Sequence, residues 1–152
     1  MTNVARIVGS ILSLASFVNL AYGQCRIEQM TLVSAALPVY PDLAHQASVQ
    51  GEVVLTFDAV GSPAPSPTNI RVVSGNPVLT EGAKKELTTW RVWSAGPDAS
   101  HERNCRTTFR YSLSDKRVSG TQDLEIHFHG LSMLDIKTDE HETEEHGAPT
   151  AR

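Results

Sequence analysis

The chain has 152 residues and 16.5 kDa, 40% hydrophobic and 20% charged, which fits one domain and argues against a multidomain enzyme. With 13 basic and 17 acidic residues the formal charge is −4, and 6% of the chain is aromatic, so a broad phosphate-binding surface is excluded and nucleic acid is not expected as a partner. The acidity is concentrated in residues 135–146, where Asp135, Asp139, Glu140, Glu142, Glu144 and Glu145 stand against Lys137.

Residues 1–23 read as a cleavable secretory signal: Arg6, an apolar run from Ile7 to Val18, then Ala21-Tyr22-Gly23 with small residues at the −3 and −1 positions. Cleavage is expected between Gly23 and Gln24, giving a periplasmic or secreted protein. The run of 12 residues falls short of the roughly 20 that a spanning helix needs, so no permanent membrane span is expected. A lipoprotein reading with Cys25 acylated conflicts with Tyr22 and Gln24, which stand where small residues are wanted. In an oxidising compartment Cys25 and Cys105 can pair across 79 intervening residues, the alternative being two unpaired thiols.

Residues 24–37 mix apolar and polar positions and read as an extended lead-in, with a strand at Met30–Val33. Pro41 suits the first turn of a short helix over Asp42–Ala47. From Gly51 the period becomes two, with Val53, Leu55 and Phe57 facing one way and Glu52, Val54, Thr56 and Asp58 the other. The Pro-rich stretch 60–67 is a stiff connection, and Thr68–Ser74 alternates again as the antiparallel partner. Asn76 caps a helix with Pro77 at its first position and Val78, Leu79, Ala83, Leu87 and Trp90 on one stripe. Thr107, Phe109, Tyr111 and Leu113 alternate with Arg106, Thr108, Arg110 and Ser112 as a third strand. Leu124, Ile126 and Phe128 alternate with Glu125, His127 and His129 as a fourth, and Leu131–Ile136 reads as its extension. Residues 137–152 form no core pattern and are expected to be a disordered acidic tail, leaving 24–136 as the domain.

Taken together, Tyr40-Pro41, Gly51-Glu52-Val53-Val54-Leu55-Thr56-Phe57-Asp58, Ile70-Arg71-Val72-Val73-Ser74-Gly75-Asn76-Pro77-Val78-Leu79 and Ala83…Leu87…Trp90-Arg91-Val92-Trp93 resemble the C-terminal domain of TonB proteins, from about Pro38 to Leu113. The chain looks like a stand-alone exported member without the membrane anchor and Pro-rich spacer. The resemblance implies an α+β two-layer sandwich, an antiparallel sheet of three to four strands with two helices, in which Tyr40, Pro41, Gly51 and Trp90 are motif residues. It also implies a protein-interaction module linked to outer-membrane transport, taking an extended peptide, such as that of an outer-membrane transporter, by strand addition. The edge would be Arg106, Thr108, Phe109, Arg110, Tyr111 and Ser112, and a homodimer is a further candidate assembly. Arg106 and Arg110 would favour an acidic peptide. The fourth alternating segment could instead fold back onto that edge and fill it, leaving a secreted accessory domain.

His127 and His129 share a strand face with Glu125, the spacing of a weak Zn²⁺ or Cu²⁺ site, and His141 and His146 stand in the acidic tail. No GxSxG, HExxH or Gly-rich phosphate loop is present, so neither an enzyme nor a cofactor is expected.

Overall fold

Strand β1 (Met30–Ser34) follows a single 3-10 turn at Ile27–Gln29 in the computed structural model, which describes residues 25–61, 63–94, 101–114 and 124–139. The expected signal, and positions 140–152 of the expected tail, lie outside the described residues. Helix α1 (Asp42–Gln46) begins directly behind Pro41, whose ring holds φ at −61°. Strand β2 (Gly51–Val60) starts at a φ of +142°, a conformation open to glycine and strained for other residues. Strand β3 (Thr68–Ser74) returns antiparallel to it across the Pro-rich connection. Helix α2 (Pro77–Thr89) has the expected cap, the Asn76 side-chain oxygen accepting the Val78 N–H at 2.9 Å. Its buried positions Leu79, Thr80, Ala83, Glu86 and Leu87 recur at three- and four-residue steps, whereas Val78 is partly exposed. Trp90 closes the helix. Strands β4 (Arg91–Ser94), β5 (His101–Ser114), β6 (Leu124–His129) and β7 (Met133–Asp139) complete the chain.

The class is α+β with two helices, as expected, but the sheet is larger and mixed. Five strands lie in the order β3-β2-β5-β7-β6, and β1 and β4 form a separate antiparallel ribbon. All neighbours in the large sheet are antiparallel except β5 and β7, which run parallel from Thr108↔Met133 to Ser114↔Asp139. Three sequence readings are corrected here. Leu131–Ile136 does not extend the fourth strand; Gly130, at a φ of +63°, reverses the chain, so that Met133 onward forms a new strand. The boundary expected at residue 137 falls inside β7, which keeps Ile136 and Thr138 buried. Leu124–Phe128 does not lie on Arg106–Leu113; it pairs with β7.

Register explains the core. Val53, Leu55 and Phe57 of β2 oppose Phe109, Thr107 and Cys105 of β5, while Phe109 and Tyr111 oppose Leu134 and Ile136 of β7. Residues directly opposite share a face, so one buried surface runs across three strands. Leu79, Ala83, Leu87 and Trp90 cover it, with Tyr40 and Ala44 beside them. A Cβ at Gly82 would come within 2.6 Å of Pro41 Cγ, so the small residue allows α2 to approach Pro41 closely. Leu134 and Ile136 have no exposed surface, and burying two such side chains contributes on the order of 3–6 kcal/mol. The β6–β7 hairpin is thus part of the core.

Candidate strand-addition edges

Strand β5 was expected to be an edge, and the topology corrects this: β2 occupies one side and β7 the other. Thr107, Phe109 and Tyr111 point into the core, Arg106 and Arg110 are exposed on the opposite face, and Thr108 and Ser112 are half-buried there. The β7 ladder starts at Thr108, whose N–H donates to Ser132 O at 2.9 Å. Residues 101–107 of β5 therefore have no strand partner on that side among the described residues. Asn104 sits there at a φ of +55°, a local break that blunts the edge.

The open face carries a row of acidic and basic side chains in alternation. Glu52 Oε1 accepts from Arg110 Nε at 2.9 Å, Arg110 lies 3.6 Å from Asp135 Oδ1, and Asp135 Oδ2 is 2.9 Å from His129 Nε2. Arg110 and Asp135 are register partners. The acidic group beside Arg110 on this side comes from the chain's own β7. His127 Nε2 meets Glu125 Oε1 at 2.9 Å, and Lys137 lies 3.9 Å from the other Glu125 oxygen. The two histidines singled out for metal each face a carboxylate instead, and among the described residues no group of three or more His, Cys, Asp and Glu converges on one point.

The motif residues hold the layers together. Tyr40 is buried, donates its hydroxyl to Val49 O at 2.7 Å and meets the Tyr111 ring edge-on at 5.4 Å; burial raises its phenol pKa. Trp90 is fully buried against Phe109 at 5.7 Å and reaches Phe128 of β6 at 6.3 Å. Trp93, by contrast, is 48% exposed on the β1–β4 ribbon and is not a core residue. Glu86 is buried under α2, and desolvation raises its pKa against the opposing pull of Trp90 and Thr89. Burial also tends to raise the pKa of Asp58, but donors from Asn69 and the Asn104 N–H, each at 2.8 Å, and the charges of Arg103 and Arg71 outweigh it and lower the pKa.

Three residues that the sequence reading did not single out for the site matter to it: Glu52 and Asp135, which flank Arg110, and His45, whose Nε2 lies 2.6 Å from Asp139 O at the end of β7. Asp135 could have been found from the alternation of Met133, Asp135 and Lys137 with Leu134, Ile136 and Thr138 just beyond Gly130. His45 carried no signal, because its partner is a backbone carbonyl 94 residues away.

Two edges remain. The outer side of β3 is irregular: its register with β2 shifts twice, and Asn69 has a φ of +50°. The outer side of β6 is regular, pairing residue for residue with β7 from Leu124 to His129, and no strand covers it among the described residues.

Cys25 and Cys105 form a disulfide over Met30, whose sulfur lies 3.7 and 3.8 Å from theirs. Beside it the Arg26 N–H donates to Glu102 at 3.0 Å, and the Arg26 guanidinium pairs with the same buried carboxylate at 3.2 Å. No described helix is long and apolar enough to cross a membrane. A disulfide fits an extracytoplasmic protein. No family model matches the chain, and no curated protein matches it.

Proposed function

We propose that the chain is a periplasmic or secreted interaction module of the TonB C-terminal type in which its own β7 fills the peptide-accepting edge, so that a partner strand adds at the outer edge of β6. The observation that carries this reading is the parallel β5–β7 ladder with Asp135 opposite Arg110. Its main-chain groups occupy the side of β5 that strand addition would use, and its carboxylate occupies the cation that would select an acidic peptide. Leu134 and Ile136 anchor the filling strand in the core, which makes it a fixed part of the sheet. The resemblance from Pro38 to Leu113 supports the type, and the disulfide supports the compartment.

Amide hydrogen exchange of the full chain, with and without short acidic peptides from outer-membrane transporters, tests the proposal. Amides of Met133–Asp139 are expected to keep their protection throughout. Peptide binding accompanied by loss of that protection would mean that β5 is the accepting edge after all, and would sink the reading.

A further inference from the structure

The β6 edge has a sequence that complements itself. Ile126 and Phe128 lie opposite Ile136 and Leu134, so Leu124, Ile126 and Phe128 share the helix-covered face; Glu125, His127 and His129 share the open one. Leu124 and Phe128 are 41% and 42% exposed although they continue the core surface, and Phe128 already touches Trp90. An antiparallel second copy of this strand centred on Ile126 would set Ile126 on Ile126, Leu124 on Phe128 and Glu125 on His127. Every apolar side chain then meets an apolar one, and each carboxylate meets an imidazole. A slip of two residues, centred on His127, would instead place the two His127 rings against each other.

We infer that the chain forms a two-fold symmetric dimer through β6, with Glu125 of one protomer opposite His127 of the partner subunit. This rests on the reading of β6 as the accepting edge and names its occupant as a second copy. The axis stands perpendicular to the sheet, so two five-stranded sheets join into one and both helix layers lie on the same side. The outer edge of β3 does not offer this: pairing of β3 with itself around Arg71 sets guanidinium on guanidinium, and its two register shifts interrupt the ladder. Among the described residues the β6 edge lacks such guards. Its register with β7 is unbroken, and a carboxylate and an imidazole stand at the positions that would face each other.

Sedimentation velocity of the full chain, purified from an oxidising compartment, tests the inference against three variants. Wild type is expected to dimerise in the micromolar range. His127→Glu, which faces Glu125 with a like charge, and Glu125→His are each expected to weaken the dimer at least about tenfold. The double exchange Glu125→His/His127→Glu restores complementarity and is expected to recover most of that loss, with circular dichroism checking that each protomer stays folded. A wild-type monomer at high concentration, or a His127→Glu variant as dimeric as wild type, would overturn the dimer. Protected β6 amides in a monomer would overturn it too, since a segment of the same chain would then cover the edge. Dimerisation with loss of β7 protection would place the exchange at β5 and sink the reading on which the inference rests.

Discussion

Glu86 is the residue whose position is hardest to account for by packing alone. Its carboxyl lies within the apolar layer under α2, close to Tyr111, whose buried hydroxyl has no hydrogen-bond partner among the described residues. Desolvation raises the Glu86 pKa, so the folded state holds its proton at pH values where the unfolded chain has released it. Stability linked to this group is intact below the unfolded carboxyl pKa and falls as pH rises toward the folded value. Glu86→Gln is therefore expected to match wild type near pH 4 and to be the more stable protein at pH 7 to 8, read from urea unfolding midpoints at both pH values. A variant less stable than wild type at pH 7 would show that the ionised group is being stabilised. Asp58 works in the opposite sense: its lowered pKa makes a contribution that is present at neutral pH and lost as pH falls through the folded value.

Among the elements, the β6–β7 hairpin separates what could be read from the chain from what could not. β2, β3 and α2 were legible because each is long enough to show its period and begins at or beside Gly, Asn or Pro, and β5 was legible by its alternation from Arg106 to Leu113, though not in its start at His101. β7 has an equally good alternation, but its last residues merge into an acid-rich run that reads as solvated, and a single glycine at 130 is too slight a signal to separate a turn from a continuing strand. β4 has four residues, too few for a period to show. The site was legible as a set of residues and not as an edge: Arg106 to Ser112 alternate as expected, but whether a strand lies beside them depends on a parallel pairing that local sequence does not encode. Gly130 is the pivot. Its φ is +63° and a Cβ added there would have no atom within 4 Å, so a side chain meets conformational strain alone. Gly130→Ala is expected to cost about 1 kcal/mol in chemical denaturation without changing the fold. No measurable loss would mean the turn relaxes to another conformation.

For the whole molecule, the disulfide closes a loop between residues 80 apart, and on the chain-entropy account such a closure is worth about 4.5 kcal/mol. Reduction, or the double variant Cys25→Ala/Cys105→Ala, is expected to lower Tm by on the order of 15 °C while leaving a folded chain, because the core of β2, β5, β7 and α2 does not depend on the bridge. A change of only a degree or two would mean that Arg26, Glu102 and the neighbouring apolar contacts hold this end of the chain unaided.

The same strand holds both ends of the described chain, Cys25 through the bond to Cys105 and β7 through the parallel ladder from Thr108 to Ser114. A pull applied between Cys25 and Asp139 would cross the sulfur bridge, run along β5 and pass into β7 at the far end of their shared ladder. Because the two strands run in the same direction and would be drawn from opposite ends, that load shears all of their hydrogen bonds together instead of peeling them one at a time. The long loop containing α1, β2, β3 and α2 is bypassed by the covalent link. Mechanically, the fold is a short tie with a domain hung on its side.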